Sequence, residues 1–465
     1  MPDLLALLGN AATSLAAQRA LGAVAGHNIQ NANTPGYARQ RAFLAAAQPA
    51  ELVNGQLIGR GAVLQSVIQV RDRFVEAQVG TALANAGSSR AEAEALSALR
   101  ALDPGAAGGL GEGISGFYAA LRGLAQNPGD LGLRTAALGA ARTMAHSFNR
   151  TAQDLARQRD ALDVKLGGLV DEVNVEARAV ADLNAEIKAA AAGGGTPNDL
   201  LDLRQAHVDR LAELTGATAV PTSEGDLNLV TPQGAVLVAG SRAAALALAP
   251  DPANGGHLQV QIRAVDGSGP TALPGSAFSG SVGGTLAARD GALRDAARDV
   301  DELAYDLAGA LNAVHRAGVG LDGVGGRDLF APPAQLDGAA MALAVALAAP
   351  DQIAAGLDPS APGDARNAQA LLATESSALA GSGRDLQATL SGIISAFGAE
   401  AQRATAFAAE DLAVHDHVLS LRESASGVSI DEELIQMQKA QRGFEAIAKV
   451  IQAADEMLQT LMQLR

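Results

Sequence analysis

Cysteine and tryptophan are both absent from this 465-residue sequence, and aromatic residues make up only 3% of it. The lack of cysteine excludes disulfides, thiolate metal sites and cysteine nucleophiles. The scarcity of aromatic residues, beside abundant Ala and Gly, favours long, closely packed helices over a large globular core. A chain of this length has room for roughly two to four domains.

Basic residues are also in the minority, since 34 Lys and Arg stand against 50 Asp and Glu, which gives a formal net charge of −16. This excess of negative charge argues against nucleic acid and anionic membranes as partners. The longest apolar run, 339–349, falls far short of the roughly 20 residues that a membrane-spanning helix needs. No basic segment precedes Leu4, so we expect no cleaved secretory signal.

Motifs for catalysis and metal binding are missing as well. The sequence contains no Walker loop, zinc-protease helix or nucleophile elbow. His415 and His417, two residues apart on a predicted helix, point to different faces and so form no metal pair. The segment 320–326 offers only Asp322 as a carboxylate, whereas a calcium loop needs several oxygen ligands. We therefore expect a non-enzymatic protein without catalytic residues, metal site or cofactor.

What the sequence has instead is an apolar helical seam at each end. The N-terminal seam contains Leu5, Leu8, Ala12 and Leu15. The C-terminal seam is spaced alternately three and four residues apart and contains Met437, Ala440, Phe444, Ile447, Ile451, Ala454, Leu458 and Leu461. Such spacing makes a narrow stripe that one helix cannot bury alone. The seams predict that the two ends pair as an antiparallel or near-antiparallel coiled coil and then pack on neighbouring subunits. The alternative interpretation is an intramolecular coiled coil or bundle core, and both can hold at once.

A polar turn follows the N-terminal helix and contains Asn28, Asn31, Thr34, Pro35, Gly36 and Tyr37. Asn side chains favour caps and turns because their amides compete with backbone hydrogen bonds. Pro-Gly is the pair preferred at the centre of a type II turn. Taken alone, these residues indicate a loop that stops a helix.

Hydrophobic periodicity predicts helices for most of the remaining chain. The proline-free stretch 131–192 predicts one rod-like helix approaching ~90 Å in length. Within 217–280 the period changes to two and turn signals recur, which predicts a small β insert. One more strand is expected at 341–347, and two closing helices are expected at 364–423 and 430–465. Asn54-Gly55 predicts a hairpin turn near the N-terminus.

The predicted fold is therefore mainly α with a β insert, comprising a terminal coiled coil, a long helical bundle or rod, and a small inserted β domain. The expected domain bounds are 1–36 with 430–465 for a terminal polymerisation domain, 37–216 with 281–429 for an elongated helical domain, and 217–280 for the β domain.

Several segments resemble the bacterial flagellar axial proteins, and within that family the hook-associated junction proteins. The stretch 28–37 is similar to the signature shared by rod and hook proteins, and 440–451 is similar to its C-terminal counterpart. The segments that resemble the junction type occur in the order Tyr37-Ala38-Arg39-Gln40, 117–148, 199–204, 283–286, 363–368 and 426–433.

This resemblance implies a structural subunit at the hook–filament junction of the flagellum. It also implies partners, namely identical copies in a ring, the hook protein, a second junction protein and a cytoplasmic export chaperone. The expected location is extracellular, after type III export without a cleaved signal peptide. The residues expected to carry subunit packing are Leu5, Leu8, Leu15, Asn28, Asn31, Thr34, Pro35, Gly36, Tyr37, Phe444, Ile447, Ile451, Leu458 and Leu461. The alternatives are a hook or rod axial subunit, and a flagellum-independent coiled-coil scaffold or adhesin.

Overall fold

The computed structural model describes residues 2–47, 51–53, 56–58, 60–98, 102, 108–223 and 225–463. Its helices are α1 (Pro2–Gln30), α2 (Arg73–Ser97), α3 (Leu110–Gln126), α4 (Leu131–Ala192), α5 (Asn198–Thr215), α6 (Gly280–Ala287), α7 (Leu293–Ala317), α8 (Ala339–Ala342), α9 (Arg366–Ala373), α10 (Leu386–Ser426) and α11 (Ile430–Gln463). Its strands are β1 (Gln40–Ala46), β2 (Glu51–Val53), β3 (Gln56–Ile58), β4 (Ala62–Gln69), β5 (Thr218–Pro221), β6 (Leu227–Val230), β7 (Val236–Ala239), β8 (Arg242–Ala243), β9 (Ala245–Pro250), β10 (Leu258–Arg263) and β11 (Thr271–Ala272). Helices dominate and the sheets are small and antiparallel, which confirms the predicted fold class.

The 62-residue helix α4 runs through the body of the molecule. Asp130 caps its start, because its carboxylate accepts a hydrogen bond from the Leu133 N–H at 3.0 Å. The helix ends where Gly194 adopts a positive φ of 81°. The long uninterrupted helix predicted at 131–192 is thereby confirmed.

Two hydrophobic cores lie along α4. The larger core joins its first half to α3, α7, α9 and the start of α10 around the buried rings of Phe117, Tyr118, Phe148 and Phe330. The smaller core joins its second half and α5 to the β strands, with Leu214, Val238 and Val260 among the buried residues. Each fully buried side chain of this size contributes about 1.5–3 kcal/mol, so these two cores hold the body together.

The strands β5 to β11 form two small antiparallel sheets, one in the order β5-β6-β7-β8 and one in the order β11-β10-β9. In the second sheet Leu246 pairs with Ile262 and Leu248 pairs with Val260. Matched alternation on paired strands places these apolar side chains on one face, against α4. The predicted β insert is therefore observed in the region where the hydrophobic period changes.

Two secondary-structure predictions were wrong. The expected strand at 341–347 begins inside the short helix α8, and only an isolated bridge joins Val345 to Phe330. Leu343 and Leu347 lie on an extended segment, and their side chains are buried in the larger core. The period-two pattern therefore reflects burial of alternate residues, although the segment is not part of a β-strand.

The expected helix at 364–423 is two helices, α9 and α10. The chain between them turns through Gly383, whose φ is +63°. Asp385 then caps α10 by accepting from the Ala388 N–H at 2.7 Å. Periodicity alone did not reveal this break because both helices contribute to the same core.

The terminal helices α1 and α11 pack against each other and are called the terminal helix pair. Strands β1 and β4 pair in antiparallel fashion, are called the hairpin, and lie along α1. The turn predicted at Asn54-Gly55 lies outside the described residues, although β2 and β3 pair on either side of it. Helix α2 packs on the second half of α10 through Val79 and Val418. None of the described helices combines the length and hydrophobicity that crossing a bilayer requires.

Candidate functional site

The terminal helix pair is antiparallel and held by small residues. Gly22 lies opposite Ala440, and Gly26 lies opposite Met437. Among the side chains of the pair that the structure describes, the buried apolar ones are all alanines, namely Ala11, Ala17, Ala25, Ala440 and Ala454. Small side chains at the contact allow the two helices to approach closely. The predicted pairing of the two ends is therefore observed within one chain.

The larger seam side chains are only half-buried in this pair. This group contains Leu8, Leu15, Phe444, Ile447, Ile451 and Leu458. The Phe444 ring is partly covered by the Arg19 guanidinium, which lies 5.5 Å from the ring centroid. The side chains of Leu5 and Leu461 lie outside the described residues. The pair therefore leaves part of each of these side chains in contact with water.

Further apolar side chains lie on the outer surface of α11. Leu434, Ile435, Val450 and Met457 are all more than two-fifths exposed. An acidic chain with this many exposed apolar groups on one terminal helix has a surface suited to protein contacts.

The predicted turn residues meet in one hydrogen-bonded network around Asn28, which is fully buried. Its Nδ2 donates to the Gln40 carbonyl at 2.9 Å, and its Oδ1 accepts from the Gln40 N–H at 2.9 Å and from the Tyr37 hydroxyl at 2.8 Å. His27 Nδ1 lies 3.0 Å from the same hydroxyl. The Asn28 amide therefore joins the end of α1 to the first residue of β1.

The turn itself has the predicted type II geometry. The Tyr37 N–H donates to the Thr34 carbonyl at 3.2 Å, and Gly36 has a φ of +78°. Asn31 Nδ2 donates to the His27 carbonyl at 3.1 Å, which closes the last turn of α1. Thr34 and Pro35 are exposed at the tip. The tip of the turn is therefore accessible to solvent, whereas the residues on either side of it are held in place by hydrogen bonds.

Acidic residues at the start of α5 hold the segment that follows the turn. Asp202 accepts from the Ala38 N–H at 3.3 Å and is ion-paired with Arg71, which also donates to the Gly36 carbonyl at 3.1 Å. Burial raises the pKa of Asp202 in spite of that ion pair. Burial and the nearby carboxylates, Asp202 foremost, raise the pKa of Tyr37 above its ordinary value, so its hydroxyl stays protonated as a donor.

Arg39 connects the same segment to α11. Its Nε donates to Glu433 Oε1 at 2.6 Å and its Nη1 donates to Glu432 Oε2 at 2.8 Å. Glu433 has a side chain only 4% exposed, whereas that of Glu432 is 61% exposed, so water screens the second ion pair much more than the first. Burial acts to lower the pKa of Arg39, but the hydrogen bonds to both carboxylates outweigh it and raise that pKa. The Arg39 N–H also donates to the Ser426 carbonyl at 2.9 Å.

A groove of about 740 Å³ lies between the turn and the link from α10 to α11, with Pro35 and Gly427 on its walls. On its floor Arg422 donates to Asp209 Oδ2 at 2.8 Å and lies 4.0 Å from Glu76. Burial raises the pKa of Glu76, and its Oε2 has no hydrogen-bond partner. The charges around this groove are largely paired within the chain. The whole region acts as a joint between the terminal helix pair and the body.

Sequence reasoning missed the ion pairs of this joint. The joint is held by Arg71 with Asp202 and by Arg39 with Glu433. Asp202 lies 131 residues from its partner Arg71 in the sequence. The pattern of acids at the start of α5 is visible in the sequence, but no local pattern identifies their partners. That the predicted turn and seam residues pack between subunits stays a prediction.

Within the described ranges, one group of side chains could offer three metal-ligand atoms, namely Asp160, Asp163 and His257. His257 Nδ1 already lies 2.8 Å from Asp163 Oδ2, and the guanidinium of Arg289 is ion-paired with the other oxygen of that carboxylate. A bound cation would be repelled by this buried guanidinium. The group is better explained as a structural ion-pair cluster between α4 and β10.

Two family models match the chain. Residues 100–330 match the model described as "Flagellar hook-associated protein FlgK helical domain". Residues 422–464 match the model described as "Flagellar basal body rod FlgEFG protein C-terminal".

Several characterised proteins are similar to the chain. It is 30% identical to flagellar hook-associated protein 1 of Escherichia coli (strain K12) over 329 residues, which cover 70% of this chain and 60% of that relative. It is 32% identical to the protein of the same name from Salmonella typhimurium over 59% of that relative. The chain thus spans about three-fifths of the length of these two relatives. The Bacillus subtilis (strain 168) protein of that name is 28% identical, with 97% of this chain and 96% of the relative covered.

The fold is also similar to a solved structure titled "The structure of the flagellar hook junction protein FlgK from Burkholderia pseudomallei". The TM-score is 0.68 at 18% sequence identity, and the match covers 75% of this chain and 100% of that chain. At this identity the likeness concerns the fold.

Proposed function

We propose that this chain, which belongs to the flagellar hook-associated protein 1 family, is a non-enzymatic structural subunit that joins hook to filament in the bacterial flagellum. It does so by self-assembly through its terminal helices. The observation that carries this proposal is the terminal helix pair, whose large seam side chains are incompletely buried in a single chain.

Covering those seams supplies the driving force for assembly. Full burial of a Leu, Ile or Phe side chain is worth about 1.5–3 kcal/mol. Six described seam residues are incompletely buried, so contact with neighbouring copies would add on the order of 3 kcal/mol per subunit. Part of that gain is offset by the loss of rotational and translational freedom. The terminal helices are therefore stable beside other copies and prone to open in a dilute monomer.

The proposed domain organisation separates the part that assembles from the parts that do not. Residues 1–36 with 430–465 form the polymerisation domain, residues 37–216 with 281–429 form the elongated body, and residues 217–280 form a small β domain. The joint around Asn28 and Arg39 sets the angle between the polymerisation domain and the elongated body. A defined angle is what a subunit needs when identical copies stand side by side in a ring.

The proposed partners are identical copies in that ring, the hook protein on one side, a second junction protein on the other and a cytoplasmic chaperone before export. The proposed location is extracellular, in the flagellum, after export without cleavage of a signal peptide. The names of the relatives, which are hook-associated proteins, support the flagellum as the location and the hook as a neighbour. The other assignments rest on the resemblance of the sequence segments.

A hook or rod axial subunit is the alternative within the flagellum. The match of 422–464 to a rod-protein model does not distinguish a junction protein from a hook or rod subunit, because these proteins resemble one another at the C-terminal end. The match of 100–330 to a helical domain of hook-associated proteins favours the junction role. A scaffold or adhesin unrelated to flagella receives no support from these matches.

Deletion and complementation test the proposal. Cells without the gene should carry hooks without filaments and shed flagellin into the medium. The wild-type gene should restore filaments, whereas Ile447→Asp, which places a charge in the C-terminal seam, should be exported without restoring them. Leu412→Asp is the matched control, because Leu412 is 52% exposed on α10, away from the seam. Normal swimming of the deletion strain would refute the junction role.

Limited proteolysis of dilute purified monomer tests the energetic reasoning separately. The terminal helices should be cleaved before the body, because their apolar seams are incompletely covered and the body contains both large cores. Early cleavage within α3 to α9 while both ends stay intact would contradict it.

A further inference from the structure

Carboxylates outnumber guanidinium groups at the base of the joint. Glu76, Asp202 and Asp209 meet two cations there, Arg71 and Arg422. All five side chains are at most 20% exposed, so water and salt screen their charges only weakly. One negative charge of this cluster is therefore left without a cation of its own.

Glu76 is the carboxylate with the weakest pairing. Its Oε1 accepts from Arg71 Nη1 at 2.9 Å, but Arg71 is also ion-paired with Asp202. Its Oε2 is buried without a hydrogen-bond partner and lies 4.0 Å from Arg422, which donates to Asp209 at 2.8 Å. Burial raises the pKa of Glu76 in spite of the opposing effect of Arg71, and the carboxylate of Asp209 raises it further.

Arg71 is the group for which Glu76 and the turn compete. Its Nη2 donates to the Gly36 carbonyl at 3.1 Å and to Asp202, which in turn accepts from the Ala38 N–H at 3.3 Å. These bonds hold the turn against α5, whereas the bond to Glu76 draws the guanidinium toward α2. Hydrogen bonds to an ionised carboxylate are about twice as strong as those to a neutral group. The charge of Glu76 therefore affects how firmly Arg71 holds the turn.

The surroundings do not supply the missing cation. The other charged or titratable groups that line or adjoin the groove are Arg39, Glu423, Glu432, Glu433, His27 and Asp199. Arg39 is engaged with two carboxylates of α11, and His27 lies 3.9 Å from Asp199 across the turn. Tyr37 stays protonated, because burial and nearby carboxylates raise its pKa. Glu76 thus remains the carboxylate in excess.

We propose that Glu76 makes the joint sensitive to pH. While its carboxylate is ionised it competes with Asp202 for Arg71. Once it is protonated, Arg71 is left to Asp202 and the Gly36 carbonyl and holds the turn more firmly. The joint is thus more compliant near neutral pH than in mild acid. This inference goes beyond the proposed function, because it concerns a single copy and requires no assembly.

The direction of the effect follows from the linkage between protonation and opening of the joint. Opening separates the walls of the groove and hydrates Glu76, which returns its pKa to the ordinary value of about 4.3. The closed joint, in which that pKa is raised, binds the proton more tightly than the open one. Closing is therefore favoured as pH falls toward the ordinary value, and this advantage is lost as pH rises through the raised pKa.

Amide hydrogen exchange of the purified full-length monomer tests the proposal. The reporters are the Ala38 N–H, which donates to Asp202, and the Arg39 N–H, which donates to the Ser426 carbonyl at 2.9 Å. Protection factors are compared, since they remove the pH dependence of intrinsic exchange. In wild type they should be on the order of threefold higher at pH 5 than at pH 7.5. In Glu76→Gln, which is uncharged at both pH values, they should equal or exceed the wild-type pH 5 values throughout.

Glu92→Gln is the matched control. Glu92 lies on the same helix, α2, about 24 Å from Glu76 along the axis. Burial raises its pKa as well, and Glu400 adds to this effect. Its replacement should leave the pH dependence at Ala38 and Arg39 unchanged. His27→Gln should also retain that dependence, although histidine side chains change charge over the same range.

Four results would overturn the proposal. They are wild-type protection factors that are equal at the two pH values, a pH dependence that persists in Glu76→Gln, its loss in Glu92→Gln, and its loss in His27→Gln. The last would assign the dependence to the imidazole. If Glu76→Gln does not fold, the wild-type profile and the other two variants still decide. None of these results bears on assembly, which Ile447→Asp tests separately.

Discussion

Replacing Asn28 by Ala should loosen the attachment of the terminal helix pair to the body. The amide of Asn28 is fully buried and forms three hydrogen bonds, two to the main chain of Gln40 and one to the Tyr37 hydroxyl. Alanine cannot donate or accept, so the N–H and the carbonyl of Gln40, itself nearly buried, lose their partners. No neighbouring side chain in the network duplicates both bonds.

The size of the effect follows from these two main-chain groups. An unsatisfied buried donor or acceptor costs about 1–3 kcal/mol. The Tyr37 hydroxyl is half-buried and retains His27 as a partner, so its loss adds little. We expect the free energy of local opening at the joint to fall by about 2–4 kcal/mol, which corresponds to exchange of the Gln40 amide about 30 to 1,000 times faster.

Amide hydrogen exchange of the purified protein measures this opening, and thermal unfolding of the body reports whether the two cores remain intact. Asn31→Ala is the matched control, because the Asn31 side chain donates to the His27 carbonyl and accepts from the exposed Thr34 hydroxyl, both local bonds, and is only half-buried. Its effect should stay below about 1 kcal/mol. Equal exchange in Asn28→Ala and wild type, or a larger change in Asn31→Ala, would refute the assignment of Asn28 as the buried centre of the joint.

Three further substitutions test the body. Gly284→Ala should destabilise it by roughly 1–3 kcal/mol in denaturant unfolding, because the added methyl would overlap the Ser88 carbonyl. Gly309→Ala, which meets no atom within 4 Å on α7, should instead stabilise it by up to about 1 kcal/mol; a loss of stability there would contradict the helix assignment. His315 is buried, donates through Nδ1 to a carbonyl and accepts an N–H at Nε2, and burial lowers its pKa. A lowered folded-state pKa means that its stabilising contribution is present above the ordinary pKa of about 6.5 and is lost as pH falls. The decrease in unfolding free energy from pH 7 to pH 5 should therefore be smaller in His315→Gln than in wild type, and it should be unchanged in His417→Gln, an exposed site.

Prediction from sequence succeeded where a short pattern determines local geometry. The Thr34-Pro35-Gly36-Tyr37 turn is type II because Pro supplies the first central φ and Gly readily adopts the positive second φ. The helix α4 has its predicted bounds because it contains no proline, and the pair Gly167-Gly168 does not interrupt it. It ends at Gly193-Gly194. In both cases the deciding residues are neighbours in the chain.

Prediction failed where burial by distant elements imitates a periodic pattern. The apolar alternation at 341–347 reflects packing against the larger core, and within the described ranges only an isolated bridge pairs this segment with Phe330. The break between α9 and α10 was missed because both helices present apolar faces to that same core. Hydrophobic periodicity indicates which side chains are buried, but it does not indicate which element of the fold covers them.

The seams at the two ends, the turn after α1 and the change of period that marks the β insert were all determined by the sequence itself. Each depends on interactions within about two helical turns or within one strand, where spacing along the chain equals spacing in space. The tertiary structure alone decided that Asp202 and Arg71 hold the turn, that Arg39 reaches Glu433 on α11, and that Gly22 of α1 lies opposite Ala440 of α11. Those pairings join residues far apart in the chain, and only packing of the whole molecule brings their charges and apolar surfaces together.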